Sequence, residues 1–406
     1  MDNSLFKGVE NMDESKKISL QTPHVYWIVY DDLTQKLSSA SRLEITRELR
    51  EMGWKVTLVS IGEDGLRTIE GVENYCINVP AIYLLGQVMF HVKAILHMRH
   101  VQPSPDVVFF TQDSLPYMLL LRFWRNLIGK RRPIYVMDTR TLHMPDIKNE
   151  TLRGRLRRWF LELMNKIANY WTDGQTAITS RMAESLKIPE QKLWGVWTSG
   201  VHLDQFAPAI TARQWPGQGD PIRLLYVGSL SLERNIHSLC QAVIRANQMG
   251  MKFIFTVVGS GEAQSYLEQI ARDSAGGVIV RAPVPRHEVP SVLAEGHLGV
   301  LPFPDEEKFR VSSPIKLFEY MAAGLPILAT RIVCHTDVVG DEPFVFWADQ
   351  ADPQGFLAVL QQIWNNAGSL SQMGQQASVA AQNWTWRSSA LRLKAALEKG
   401  LELHTS

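Results

Sequence analysis

One short segment, residues 312–326, combines residue types that bind a phosphate with a single acidic side chain. Ser313 is a good N-cap residue and Pro314 suits the first helical position, so the segment predicts a helix that begins here. Gly324 predicts where that helix ends. The free N–H groups of a helix start attract anions, and Lys316 adds positive charge in the first turn. The segment therefore predicts a site for a nucleotide diphosphate.

Glu319 is the one acidic residue of this predicted helix. It lies between Phe318 and Tyr320, so burial of the helix would leave its carboxylate in need of a hydrogen-bond donor. A sugar hydroxyl is such a donor. The alternative is a capped helix on which Lys316 and Glu319 are both solvated, and the segment alone does not separate the two interpretations.

Two glycine turns in the C-terminal half follow apolar runs that predict strands. After the first run come Gly228-Ser229 and, at the next helix start, Arg234, which predict a phosphate contact or simply a surface arginine. Gly259 opens the second turn, which is a close-approach site for a ligand or an ordinary strand-to-helix turn. Neither turn has the full glycine fingerprint of a dinucleotide site, and no P-loop lysine motif occurs. The sequence therefore disfavours a nicotinamide enzyme.

Polar residues also follow two predicted strands of the N-terminal half. Gln112 and Asp113 come after one strand, and Asp138 and Arg140 come after the next. Carboxyl ends of parallel strands meet at one edge of a sheet, so we expect these side chains to face a substrate. An Asp at a strand end is equally often a helix N-cap.

The elements that must position these residues form two alternating series. Apolar runs alternate with helical patterns from residues 25–30 to 176–179 and again from 223–228 to 327–329. Such alternation predicts parallel sheets covered on both faces. The expected fold class is α/β, with two doubly wound, Rossmann-like domains facing a central cleft.

Composition shifts suggest the domain boundaries. Residues 1–20 predict a mobile leader, 21–199 a first domain and 200–383 a second one. Residues 384–406 predict a terminal helix, which we expect to cross back to the first domain. Proline and glycine in residues 201–220 predict a linker.

Overall composition excludes several classes of protein. The 406 residues carry a formal net charge of +1, which excludes bulk nucleic-acid binding. Three widely spaced cysteines favour a reduced, cytoplasmic compartment, and no metal-ligand spacing is present. His91, His97 and His100 predict a polar helix face, so we expect no metal site. The N-terminal residues are polar and no apolar run is long enough to span a bilayer, so we expect neither a signal peptide nor a membrane span.

Two stretches mix cations with aromatic residues, namely residues 122–132, from Arg122 to Arg132, and residues 153–160, from Arg153 to Phe160. This chemistry suits an anionic membrane surface or a lipid diphosphate. The alternative is a solvated helix face with its aromatic residues turned to the core. Together the stretches predict peripheral contact with the inner face of the plasma membrane.

These motifs resemble the GT-B glycosyltransferases, and within them the retaining glycosyltransferase family 4 of the Ser-Pro-x-Lys subtype. The resemblance covers about residues 23–400 and is most specific in the C-terminal half. Besides the motifs above, it is carried by Gly200-Val201 with Phe206, and by Pro283-Val284. The chain differs in having Val311 where commoner members have a glutamate, Gln112 where many have a cleft histidine, and His202 where an aspartate is usual.

The resemblance implies transfer of a glycosyl unit from a nucleotide diphosphate sugar to a hydroxyl of a glycan or a lipid-linked glycan, without metal and with retention. A UDP-sugar is favoured over a GDP-sugar. Arg234 and Lys316 would stabilise the leaving diphosphate, and Glu319 would hold the ribose. The implied donor-binding residues are Gly228, Ser229, Arg234, Gly259, Pro283, Val284, Ser312, Ser313, Pro314, Lys316 and Glu319. The implied acceptor-side residues are Gln112, Asp113, Asp138 and Arg140.

Three other functions remain open on the sequence. An inverting GT-B enzyme, similar to bacterial polysaccharide glucuronosyltransferases, would use Asp138 as general base. A nucleotide-sugar epimerase would bind the donor and transfer nothing. A non-catalytic, nucleotide-sugar-binding scaffold subunit of a polysaccharide assembly is favoured by Val311 and Gln112, which stand where polar or titratable groups are expected.

Overall fold

A computed structural model describes residues 22–34, 40–128, 133–141 and 152–405. The predicted leader and residues 129–132 of the first basic stretch lie outside these ranges. Among the described residues, every helix is too short or too polar to cross a bilayer.

The N-terminal domain is built on an eight-stranded sheet among the described residues. Its strands are β1 (His24–Asp32), β2 (Lys55–Ile61), β3 (Gly65–Ile69), β4 (Val72–Ile77), β5 (Val107–Thr111), β6 (Ile134–Thr139), β7 (Gly174–Ala177) and β8 (Leu193–Val196). They lie in the order β3-β4-β2-β1-β5-β6-β7-β8, and all pairs are parallel except β3 with β4. The strand order reverses between β1 and β5, so a crevice opens at their carboxyl ends.

Helices cover both faces of this sheet. They are α1 (Ala40–Glu51), α2 (Tyr83–Met98), α3 (Leu115–Ile128), α4 (Leu152–Trp171) and α5 (Ser180–Ser185). Alternate residues of β1 divide between the two faces, with Trp27 in the core beneath α1 and Tyr26 in the core beneath α2, α3 and α4.

The C-terminal domain has a six-stranded, all-parallel sheet. Its strands are β9 (Ile222–Val227), β10 (Phe253–Val258), β11 (Val278–Arg281), β12 (Leu298–Leu301), β13 (Ile327–Thr330) and β14 (Val345–Ala348). Their order, β11-β10-β9-β12-β13-β14, is that of a doubly wound sheet, with its crevice between β9 and β12. Two such sheets facing a cleft confirm the predicted fold class.

The helices of this half run from the domain boundary to the end of the chain. They are α6 (Leu203–Ala212), α7 (Ile236–Gln248), α8 (Gln264–Arg272), α9 (Val289–Ala294), α10 (Glu307–Arg310), α11 (Ile315–Ala322), α12 (Val333–Val339), α13 (Pro353–Asn365), α14 (Leu370–Ala380) and α15 (Trp386–Thr405). Helix α15 packs on α1 and β8, where Trp386 joins the core of the N-terminal domain.

Two local predictions are wrong. Residues 203–212 of the predicted linker form α6, because Phe206 and Ala209 lie on one side of a helix and are buried in the C-terminal core. His91 and His97 do not form a polar face. The His91 ring stacks on the Tyr117 ring, with 4.0 Å between the ring centroids. A 2.9 Å hydrogen bond joins His97 Nδ1 to the Tyr26 hydroxyl.

Candidate active site

A cavity of about 490 Å³ lies between the two domains. The C-terminal domain lines it with the turns after β9 and β10, the loop after β11 and the first turn of α11. Seven of the sequence-predicted donor residues meet there: Gly228, Ser229, Gly259, Pro283, Val284, Lys316 and Glu319. The N-terminal domain closes the other side with residues that include Leu33, Thr34 and Glu70. The cavity therefore needs both domains.

The side chain of Lys316 lies directly over Gly228. A Cβ atom on Gly228 would be 2.3 Å from Lys316 Cε and 2.5 Å from its Nζ, and Gly228 has φ +147°. Both the backbone conformation and the space favour glycine here. The glycine therefore lets the ammonium group of Lys316 approach the backbone turn after β9.

A second cation stands near Lys316. The charge of Arg234 lowers the pKa of Lys316 further, after burial has lowered it most, to about 8. The Arg234 guanidinium packs 5.2 Å from the centre of the Phe303 ring, and its Nε has no hydrogen-bond partner among the described residues. Lys316 at the cavity, with the charge of Arg234 beside it, forms a positive site that an anion would complete.

The two glycine turns pack against each other. A Cβ atom on Gly259 would lie 1.8 Å from the carbonyl oxygen of Gly228, and one on Gly261 would lie 2.3 Å from that of Leu230. Both glycines have positive φ, +153° and +156°. Gly259 therefore permits the close packing of the turns, and it also lines the cavity.

Glu319 faces the same cavity from the second turn of α11. Burial raises the pKa of its carboxyl group, and the positive charges of Lys316 and Arg286 oppose that shift. Its carboxylate accepts no hydrogen bond from the described residues. A carboxylate at a cavity wall without a donor can accept hydrogen bonds from ligand hydroxyls.

The segment before α11 differs from the sequence prediction. The helix begins at Ile315, with Pro314 as N-cap, and Ser313 does not cap it. Instead the backbone N–H of Ser199 donates to Ser313 Oγ at 3.1 Å, which ties the helix start to the domain boundary. Ser312 Oγ donates to the carbonyl of Phe309. The side chains of residues 312–314, like that of Arg234, are not part of the cavity wall.

A second cavity, of about 290 Å³, lies within the N-terminal domain at the carboxyl ends of β1, β5 and β6. All four predicted acceptor-side residues line it: Gln112, Asp113, Asp138 and Arg140. The wall holds two further charged groups that no local motif marks, Asp31 and Arg42, and it also holds Arg157, which the sequence pattern assigned to a membrane-facing stretch.

Asp138 and Arg140 are the buried polar groups of this second cavity. Asp138 is 1% exposed, and its Oδ1 accepts hydrogen bonds from Thr176 Oγ1 at 2.6 Å and Trp197 Nε1 at 3.0 Å. The Arg140 guanidinium stacks 3.6 Å from the Trp197 ring centre. Asp138 Oδ2 and one Arg140 nitrogen, Nη2, have no partner among the described residues. These two buried atoms belong to residues of the cavity wall, and they are an acceptor and a donor of the kind that hydroxyl groups satisfy.

The pKa values of this pair are shifted by burial. Burial raises the pKa of Asp138, against the charges of Arg140 and Arg42, and it lowers the pKa of Arg140 to about 10. Gln112 is differently placed, because its amide donates to Asn165 and to the carbonyl of Leu161 in α4. Its side chain therefore braces the cavity wall.

Val311, which replaces a glutamate of the commoner family pattern, is buried at the contact between the domains. It packs with Ala177, Ile178 and Met182 of the N-terminal domain. Its carbonyl accepts a 2.8 Å hydrogen bond from Thr179 Oγ1. It does not line the cavity between the domains, so its role is to hold them together.

The C-terminal domain is similar in sequence to known glycosyltransferases. Residues 221–366 match the family model described as glycosyl transferases group 1. A putative colanic acid biosynthesis glycosyltransferase, WcaL, of Escherichia coli K12 is 23% identical over 172 residues, which are 42% of this chain and 39% of that protein. The match thus covers about two-fifths of the length of this curated relative.

Solved structures are similar over nearly the whole chain. Sucrose-phosphate synthase from Thermosynechococcus elongatus superimposes with a TM-score of 0.73 at 13% identity, over 95% of this chain and 100% of the other. HepE from Anabaena, solved with UDP-glucose, gives a TM-score of 0.68 at 14% identity, over 93% and 99%. The chain therefore has the GT-B fold, and its C-terminal domain is similar to the glycosyltransferase domain of group 1.

Proposed function

We propose that the protein transfers a sugar from a nucleotide diphosphate sugar to a hydroxyl group of an acceptor. The observation that carries this proposal is the placement of Lys316 over Gly228, beside Arg234, in a cavity that also holds the unpaired carboxylate of Glu319. A diphosphate and a ribose diol are the groups that these two features would bind.

The diphosphate, the ribose and the base of the donor would each contact a different part of the cavity wall. The diphosphate would lie against Lys316 and the turn after β9, where the positive charge is in place before the leaving group becomes negative. Glu319 would accept hydrogen bonds from the ribose hydroxyls. The base would lie against Pro283 and Val284, and UDP is the nucleotide we favour, since HepE, a structure of the same fold, was solved with UDP-glucose.

The acceptor would enter the second cavity. A sugar hydroxyl there can donate to Asp138 Oδ2 while another accepts from Arg140 Nη2. The colanic acid and teichuronic acid biosynthesis named for two relatives favours a glycan of a surface polysaccharide as the acceptor. Closure of the two domains would exclude water from the donor sugar.

We propose retention of the anomeric configuration. One observation favours inversion as a second candidate: Asp138 has a raised pKa and a free carboxylate oxygen, as a general base requires. NMR of the first-formed product separates the two. With an α-linked donor, an α-linked product supports retention, and a β-linked product that is lost in Asp138→Asn supports the inverting enzyme.

Calorimetry with UDP, GDP and ADP, without added metal, tests donor binding. We expect micromolar UDP binding that weakens at least about ten-fold in Glu319→Ala, since a lost charged hydrogen bond is worth about 1.5–3 kcal/mol. Glu342→Ala, an exposed site away from the cavity, is the matched control. If none of the three nucleotides binds, the proposal fails. If UDP binds but neither transfer nor hydrolysis of a UDP-sugar occurs with any acceptor, the scaffold alternative takes its place.

A further inference from the structure

Helix α2 is apolar on both of its sides. On its inner side, Phe90 and Ala94 are buried in the core between the N-terminal sheet and the helices α2, α3 and α4. On its outer side, Leu84, Val88, Val92 and Leu96 follow each other at intervals of four residues and are exposed, Val92 by 49%. A four-residue spacing places these side chains in one stripe along the helix. No motif of the sequence predicted this stripe.

The neighbouring helices α3 and α4 extend the apolar surface. Ring stacking of His91 on Tyr117 joins α2 to α3, and a 2.9 Å ion pair of Arg122 with Asp173 joins α3 to the end of α4. Exposed large apolar side chains continue on both helices, including Phe123, Leu156 and Trp159. We call the outer sides of α2, α3 and α4 the outer helical surface. Exposed apolar side chains grouped on adjoining helices mark an interaction surface.

The charge of these helices indicates the chemistry of that partner. Helices α2, α3 and α4 carry eight Lys and Arg residues and one acidic residue, Glu162. The whole chain has 42 basic and 41 acidic residues, so the rest of it is acidic overall. Exposed Arg155 and Trp159 illustrate the combination of cation and aromatic ring that binds at an anionic lipid headgroup layer.

The same helices reach the second cavity. Gln87 of α2, and Arg157 and Leu161 of α4, form part of its wall. A molecule held in a bilayer beneath the outer helical surface would therefore meet the cavity next to the membrane. A free, soluble glycan would gain nothing from this proximity.

We infer that the outer helical surface docks on an anionic bilayer and presents the second cavity to an amphiphilic acceptor, a sugar headgroup on a membrane-held lipid anchor. The docking stands on the surface itself, and the acceptor class rests on the proposed function. The apolar stripe of α2 would enter the headgroup layer, and the cations around it would contact lipid phosphates.

Flotation with vesicles of phosphatidylglycerol and phosphatidylcholine tests the docking. We expect the wild type to float with them, and Val92→Glu and Leu156→Glu each to bind at least five-fold less. Val379→Glu is the matched control, since Val379 is 63% exposed on α14 of the other domain. Arg155→Glu should lose binding to the anionic vesicles only, while pure phosphatidylcholine binds all proteins weakly. The inference is overturned if the wild type does not float, or if Val92→Glu and Leu156→Glu both float at the wild-type level.

A second measurement distinguishes docking from self-association and from donor binding. Sedimentation that shows a concentration-dependent dimer, lost in Val92→Glu, would assign the surface to a second copy and overturn the inference. UDP calorimetry on the same variants should match the wild type. If the wild type floats through α2 but binds no UDP, the proposed function fails and the docking surface stands.

Transfer assays with two acceptors test the acceptor class. We expect Val92→Glu to lower the rate of transfer to a lipid-anchored sugar at least five-fold and to leave the rate of transfer to the same sugar without its anchor unchanged. An equal fall with both acceptors, or none with either, overturns the acceptor class.

Discussion

Glu44 of α1 and His202 at the start of α6 contact each other across the domain boundary, with 2.6 Å between Glu44 Oε2 and His202 Nε2. Arg286, from the loop after β11, lies 3.2 Å from the other Glu44 oxygen and 3.2 Å from Glu70. Burial alone would raise the pKa of Glu44, but the hydrogen bond with His202 and the charges of Arg47 and Arg286 lower it overall. These residues form a cross-domain clasp beside the cavity, which His202, Glu70 and Arg286 also line.

Glu44→Gln should weaken this clasp. Glu44 is only 2% exposed, whereas Arg47, His202 and Arg286 are each partly exposed, so we expect the loss of its charged contacts to lower the free energy of unfolding by roughly 1.5 kcal/mol. Because the folded pKa lies below the usual 4.5, the difference between wild type and variant should be full above about pH 5 and decrease as the pH falls through the folded pKa. Urea denaturation at several pH values measures this. The exposed ion-pair variant Glu63→Gln is the control, and an equally small effect in both variants would show that the clasp contributes nothing.

Gly228→Ala should weaken UDP binding at least about ten-fold while the fold persists. The new methyl group would occupy the place of Lys316 Cε and move the ammonium group out of position. Gly250→Ala is the control for the backbone cost alone, because Gly250 also has a positive φ, +91°, and no atom lies within 4 Å of its added Cβ. Calorimetry compares the two variants. Equal UDP affinity in Gly228→Ala and the wild type would contradict the role of Lys316 as a diphosphate ligand.

The affinity for UDP should depend on the protonation of Lys316. Its lowered pKa of about 8 means that the side chain is cationic below that pH and loses its charge above it. Affinity should therefore fall by about eight-fold between ~pH 7.5 and ~pH 9, as follows from titration of one group. Lys316→Arg keeps its charge over this range and should flatten the profile, whatever its absolute affinity. A wild-type profile as flat as that of the arginine variant would show that another group controls binding.

Val311→Glu restores the residue type of the commoner family pattern, and we expect it to destabilise the protein. The side chain lies in an apolar cluster at the domain contact, where an unpaired carboxylate costs about 3 kcal/mol or more. Thermal unfolding would be compared with Val379→Glu at an exposed site, which should change little. A stable Val311→Glu protein with tighter binding of a UDP-sugar than of UDP would instead place this residue at the donor.

The periodic patterns of the sequence were sufficient to predict most of the strands and helices near the site. The apolar run at residues 25–30 became β1 within two residues at each end, because apolar spacing is a local signal. The β3–β4 hairpin was not predicted, since its strands are half exposed and lack a continuous apolar run. That omission also hid Glu70, which lies in the turn between them.

The sequence by itself determined the alternation of strands and helices, the glycine turns and the pairing of Lys316 with Glu319 on one helix, because each depends on residues a few positions apart. Only the tertiary structure decided that Ser313 binds Ser199, that Val311 seals the domain contact, and that Glu44 meets His202. It also decided which apolar side of α2 faces water. Contacts between residues more than a hundred positions apart, and the choice between two apolar helix faces, follow from how whole elements pack, which no local spacing records.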